Sequence, residues 1–173
     1  LAARLAADGL DALLVSDLVN VRYLTGFTGS NAALVVFAGD PPDVLATDSR
    51  YRTQAARQAP DLEVAIERAC GRHLVSRAVA EGAARIGFES HVVTVDGHQA
   101  LADALAAEPD GATAELVRAP GIVESLREVK DAGEIALLRL ACEAADAALT
   151  ALVESGGLRP GRTERAVGRK LEA

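Results

Sequence analysis

Along the first 121 residues, short apolar runs alternate with polar, glycine-bearing or proline-bearing breaks, and each run is either strand-length or helically spaced. Residues 1–8, LAARLAAD, predict a helix with an apolar face, closed by Gly9. Ala12–Val15 reads as a buried strand, and 17–22 as a polar connection into a second strand at Tyr23, Leu24 and Thr25. The stretch from Gly26 to Asn31 is a tight polar loop, and 32–37 (AALVVF) is a continuous apolar strand. Residues 39–42 (GDPP) form a turn into a strand at 44–47, so these last two strands predict a hairpin. Asp48 offers an N-cap to a helix reaching Ala59, where Pro60 stops it. A strand at 62–66, a helix at 74–81, a strand at 85–88, a helix started by Asp96 and running to 107, and a strand at 114–117 complete the pattern. Neighbouring strands followed by alternating strands and helices predict an α/β domain with a mixed β-sheet flanked by helices.

The character changes from Val123. Asp131 and Glu134 have capping-box spacing, and Ile135, Leu138, Cys142, Ala145, Leu149 and Leu152 recur at three- and four-residue steps. This predicts one long amphipathic helix with a narrow seam, ended by Gly156 and Gly157, then a helix capped by Thr163. The expected division is 1–121 for the α/β domain and 122–173 for the first helices of a truncated second domain.

Composition narrows the function classes. Half of the 173 residues are hydrophobic and only 3% aromatic, so a substantial core must be built mainly from Ala, Leu and Val. Eighteen basic and 25 acidic residues give a net charge of −7, with no basic run, which speaks against nucleic-acid or anionic-membrane partners. No apolar stretch approaches the ~20 residues that span a bilayer, and a cytoplasmic location is expected. Cys70 and Cys142 lack C-x-x-C spacing and are expected as reduced, buried thiols. The chain holds no methionine, begins at Leu1 inside an expected helix and stops at Ala173 inside another, which reads as a piece of a longer protein.

Candidate chemistry is sparse. The loop from Gly26 to Asn31 lacks the G-K-[ST] of a Walker loop and the G-x-G-x-x-G of a dinucleotide loop, and strand rather than helix follows it. Ser30 does not sit in a G-x-S-x-G elbow. The three histidines, His73, His91 and His98, show no H-E-x-x-H spacing; Glu89 with His91 is a weak metal pair or a solvated loop. The residues alone assemble no complete catalytic constellation.

Five stretches taken in order resemble the creatinase/prolidase/Xaa-Pro aminopeptidase family of pita-bread metallopeptidases. They are NVRYLTGFTGSN at 20–31, TDSRY at 47–51 followed by Gln54 and Ala55, IGFE at 86–89, VESLREVKDAGEIALLRLACEAADAA at 123–148, and RPGRTE at 159–164. Ser49 stands where the family's Asp-Gly-Arg-Tyr has its glycine. The resemblance implies a creatinase-like N-terminal domain, then the start of a catalytic domain that elsewhere in the family holds two divalent metal ions (Mn, Co or Zn). Their Asp, Asp, His, Glu and Glu ligands would lie downstream of Ala173, so the 173 residues alone are expected to be inactive. The implied parent is a metal-dependent Xaa-Pro aminopeptidase or dipeptidase acting on short proline-containing peptides. It would be a homodimer in which the N-terminal domain covers the partner's active site. On that reading Phe27, Ser30 and Asn31 form a substrate-side lid and Arg50 meets a carboxylate. The same residues also read as a plain turn made by Gly26 and Gly29, with Asn31 bonded to local backbone and Arg50 on the surface. Two alternatives keep the fold: a creatinase-like C–N hydrolase that works without metals, and a non-catalytic binding module.

Overall fold

A computed structural model describes residues 1–109 and 113–172, in two compact units, Leu1–Arg127 and Glu128–Ala173. The helix expected to continue through Ala173 reaches a position outside the described residues.

The first unit is built on a six-stranded mixed sheet of β1 (Ala12–Val15), β2 (Ala32–Phe37), β3 (Val44–Thr47), β4 (Glu63–Ile66), β5 (Arg85–Phe88) and β6 (Glu115–Arg118), in the order β4-β3-β2-β1-β5-β6. β1–β2 and β2–β3 pair antiparallel, with Val15 opposite Leu34 and Ala32 opposite Thr47. The β1–β5, β3–β4 and β5–β6 pairs are parallel. Every residue of β1, β2 and β3 is buried, which explains why these strands read as unbroken apolar runs instead of alternating ones. The two faces still separate strictly. Leu14, Val35, Ala46 and Ile86 point to one side, against Leu74, Val75 and Ala78 of α4 (Cys70–Ala80) and Leu101 of α5 (Val95–Ala107). Leu13, Val15, Leu34 and Leu45 point to the other. There they meet Leu5 of α1 (Ala2–Ala7), Val21 of α2 (Leu18–Thr25), Ala55 of α3 (Arg52–Gln58) and Ile122 and Val123 of α6 (Ile122–Glu128).

Three local expectations change. Tyr23, Leu24 and Thr25 are not a strand but the end of α2: Asp17 Oδ1 accepts from Val19 N at 2.8 Å as the N-cap, and Gly26 ends the helix in the left-handed region at φ +75°. α5 is capped by Thr94, whose Oγ1 accepts from Gly97 N at 3.0 Å, and not by Asp96. Asp48 caps as expected, but the turn it opens, Ser49–Tyr51, is 3-10 before α3 begins. Ile122 and Val123, beyond the expected boundary at 121, bury in the first unit's core, so that unit continues to Arg127.

The second unit holds α7 (Ala132–Glu154) and α8 (Glu164–Leu171). The capping box is present: Glu134 N donates to Asp131 Oδ1 at 2.8 Å and Asp131 N to Glu134 Oε2 at 2.9 Å. α7 ends where Gly157 N donates to Leu152 O, Leu152 itself being buried. Ile135, Leu138 and Leu149 along the seam are exposed. Cys142 on the same face is exposed as well, against the expectation of a buried thiol, and only Cys70 is enclosed. No helix among the described residues is long and apolar enough to cross a membrane.

Candidate functional site

The loop between α2 and β2 is fastened at nearly every residue. Thr25 Oγ1 donates to Val21 O at 2.7 Å and accepts from Phe27 N at 3.0 Å. Thr28 N donates to Gln58 Oε1 at 3.0 Å, while the Gln54 and Gln58 amides donate to Thr28 Oγ1 at 2.9 and 3.0 Å. Phe27 turns inward, 1% exposed, and meets Tyr51 edge-on with ring centroids 5.7 Å apart. Gly29 passes directly over that ring: a Cβ there would lie 2.3 Å from Phe27 Cζ, so the backbone can come this close only without a side chain.

The outer side of the loop is polar and meets the β3–α3 junction. Ser30 Oγ and the Tyr51 hydroxyl are 2.6 Å apart. Asn31 Nδ2 donates to Asp48 Oδ2 at 2.9 Å and to Arg68 O at 3.3 Å, and its carbonyl accepts from Thr47 Oγ1 at 2.6 Å. Arg50 grips Asp48 with two donors, Nε to Oδ1 at 2.8 Å and Nη2 to Oδ2 at 2.7 Å, and its guanidinium lies 5.2 Å from the Tyr51 ring centre. A cleft of about 490 Å³ opens beside them, lined by Asp48, Ser49, Arg50, Ile66 and Arg68. The Arg50 guanidinium, helped by Asn31, holds the Asp48 carboxyl well below the usual carboxylate range, and Asp48 in turn raises Arg50. The hydrogen bond between Ser30 and the Tyr51 hydroxyl lowers the Tyr51 phenol. An ionised pair that stays ionised, with a phenol beside it, can bind and orient polar groups. It offers no activated nucleophile.

The four residues singled out from the sequence therefore lie together, but with different parts. Phe27 is a core residue and presents no side chain on the outer surface of the loop. Ser30 and Asn31 do line the outer side, both held by partners in the same chain. Arg50 meets a carboxylate, and that carboxylate is Asp48 of its own turn. Tyr51, Arg68 and Asp48 as an acceptor join these residues at the site, roles that no spacing in the sequence marked. The TDSRY motif placed Asp48 and Tyr51 near Arg50, but only the pairing of β2 with β3 brings them against Ser30 and Asn31.

A second polar cluster sits beyond the ends of β1 and β5. Glu89, 2% exposed, accepts from Ser16 N, Ser16 Oγ and Asp17 N on Oε2 and from Asn20 Nδ2 on Oε1. His91 does not join Glu89 as a metal pair. Its Nε2 lies 3.0 Å from Glu124 Oε1, while Glu89 takes its donors from Ser16 and Asp17, between β1 and α2, and from Asn20 of α2. Among the described residues no group of three or more His, Cys, Asp or Glu could hold a metal ion.

Residues 1–129 match the Creatinase/Prolidase N-terminal domain. The chain belongs to that family. Its sequence is 37% identical over 166 residues to the uncharacterized peptidase YqhT of Bacillus subtilis, covering 95% of this chain and 44% of that protein. The N-terminal domain of the cytoplasmic peptidase PepQ from Mycobacterium tuberculosis is 66% identical, with a TM-score of 0.69 over 73% of this chain and 94% of that one. The Xaa-Pro dipeptidase from Bacillus anthracis is 27% identical, with a TM-score of 0.85 over 99% of this chain and 46% of that one. The chain thus spans less than half the length of YqhT and of that dipeptidase. The mixed sheet with flanking helices is the fold of this family's N-terminal domains, as the sequence implied.

Proposed function

We propose that this chain is the N-terminal part of an Xaa-Pro peptidase, an aminopeptidase or dipeptidase that cleaves short peptides beside proline. The observation that supports this most is that the likeness to the Xaa-Pro dipeptidase runs over both units and does not stop at the α/β domain. Two divalent ions of the kind the family resemblance implies find no fit among the residues described here. In this reading the metal ligands, and with them the catalytic step, belong to residues that follow these in the parent, and the 173 residues alone do not hydrolyse peptides. The parent is a cytoplasmic homodimer in which Ser30, Asn31 and Arg50 form the substrate-side surface of a cover. Phe27 props that cover from beneath, and the ionised Asp48–Arg50 pair offers both charges to a short peptide's termini.

The test is to express this chain both alone and as part of the full-length gene product, and to assay Xaa-Pro dipeptides and tripeptides with and without a chelator. Cleavage is expected only from the full-length protein, lost on chelation and restored by Mn, Co or Zn. Chelator-insensitive cleavage, or a full-length protein inert on all proline peptides, would overturn the proposal.

A further inference from the structure

The second polar cluster joins elements that are far apart in sequence through one side chain. The Asn20 amide is fully buried and its hydrogen-bonding capacity is used on both sides. Nδ2 donates to Glu89 Oε1 at 2.7 Å and to Glu124 Oε1 at 2.6 Å, and Oδ1 accepts from Arg127 Nη1 at 2.8 Å. The orientation of the amide follows from charge: turned over, its carbonyl would face two carboxylates and its NH₂ a guanidinium. Glu89 is fixed in turn by Ser16 and Asp17 at the end of β1.

This matters for α6. Its apolar hold is confined to its first two residues, Ile122 and Val123, and no apolar residue after them is fully buried. From Glu124 onward, hydrogen bonds join α6 to Asn20 of α2, to His91 after β5 and, at the long distance of 3.5 Å, to the Tyr23 hydroxyl, which donates to Leu126 O. Glu124 Oε1 takes the bonds with Asn20 and His91, while Oε2 is buried and meets no hydrogen-bond partner among the described residues. Apolar contacts tolerate sliding, whereas a bridged amide with two carboxylates and a guanidinium fixes position and direction. We infer that Asn20, Glu124 and Arg127 are positioning residues: they anchor the last turn of α6 and so fix the direction in which the chain leaves the first unit. The kinetic consequence rests on the peptidase reading above; the anchor itself does not.

The experiment compares Asn20→Asp, Glu124→Met and Arg127→Met with Val75→Ala, a core change on the opposite face of the sheet. Asn20→Asp sets a third carboxylate against Glu89 and Glu124; the two α6 variants keep the test decisive if it does not fold. Hydrogen exchange is read in the 173-residue chain, and kcat and KM on an Xaa-Pro dipeptide in the full-length protein. The anchor variants are expected to speed exchange of the 126–128 amides roughly tenfold while the β1 amides stay protected. The full-length variants should lose about tenfold in kcat with KM within about twofold, and Val75→Ala neither. Unchanged exchange at 126–128 would overturn the anchor. Faster exchange with wild-type kcat would overturn the positioning role. If the wild-type full-length protein cleaves no Xaa-Pro peptide, the peptidase reading fails and exchange alone decides the anchor.

Discussion

Replacing Phe27 with alanine tests whether the glycine loop is a free lid or part of the core. The side chain is 1% exposed, lies under Gly29 and meets Tyr51 edge-on at 5.7 Å. A buried Phe→Ala change costs about 3–5 kcal/mol, of which the lost aromatic pair accounts for roughly 0.5–1.5. That is a large share of the ~5–15 kcal/mol that holds a domain together. With a urea dependence of about 2 kcal/mol per molar, the unfolding midpoint should fall by about 1.5–2.5 M. The assay is favourable here, because the chain has no tryptophan and two tyrosines, Tyr23 and Tyr51, both in the first unit. Tyrosine fluorescence therefore follows that unit alone. Phe27→Leu, which retains most of the volume, should cost only about 1–1.5 kcal/mol. A midpoint shift for Phe27→Ala below about 0.3 M, the size of a surface change, would refute the packing described here and return Phe27 to the lid.

Three further outcomes follow from the outer side of the loop. The folded state depresses the Asp48 carboxyl, so it contributes stability that is present above the ordinary carboxylate range near about 4 and is lost as pH falls through the folded value. Urea midpoints measured from pH 6 downward should fall below about pH 4 in the native chain, and less steeply in Asp48→Asn. Ser30→Ala removes the hydrogen bond that lowers the Tyr51 phenol, so in a Tyr23→Phe background the ultraviolet titration of Tyr51 should move up toward about 10. An unchanged titration would separate Ser30 from Tyr51. Asn31→Ala takes a donor from Asp48 and from Arg68 O and should cost about 1 kcal/mol by urea denaturation. In the full-length protein a fall in kcat/KM beyond what that loss explains would support a substrate-side role for Asn31.

What could be read from the sequence was what is local. β1, β2 and β3 fall where the apolar runs placed them, because a strand buried on both faces must be apolar throughout. The hairpin and the Asp131–Glu134 capping box were legible for the same reason, each being set by residues a few positions apart. α2 was not. Tyr23, Leu24 and Thr25 suit a strand by themselves, and the helix depends on a cap at Asp17, a left-handed Gly26 and the burial of Asn20 and Val21 under the sheet. The seam of α7 was legible as a pattern, but whether its Leu138, Cys142 and Leu149 are covered is not a local property. The site divides in the same way. Motif spacing marked Ser30, Asn31 and Arg50, but strand register set them around Asp48 and Tyr51 and turned Phe27 into the core. The Asn20 hub joins residues 69 and 104 positions away. No periodicity within the chain reports such a distance; only the closing of the sheet and the packing of α2 and α6 over its end bring those groups within hydrogen-bonding reach.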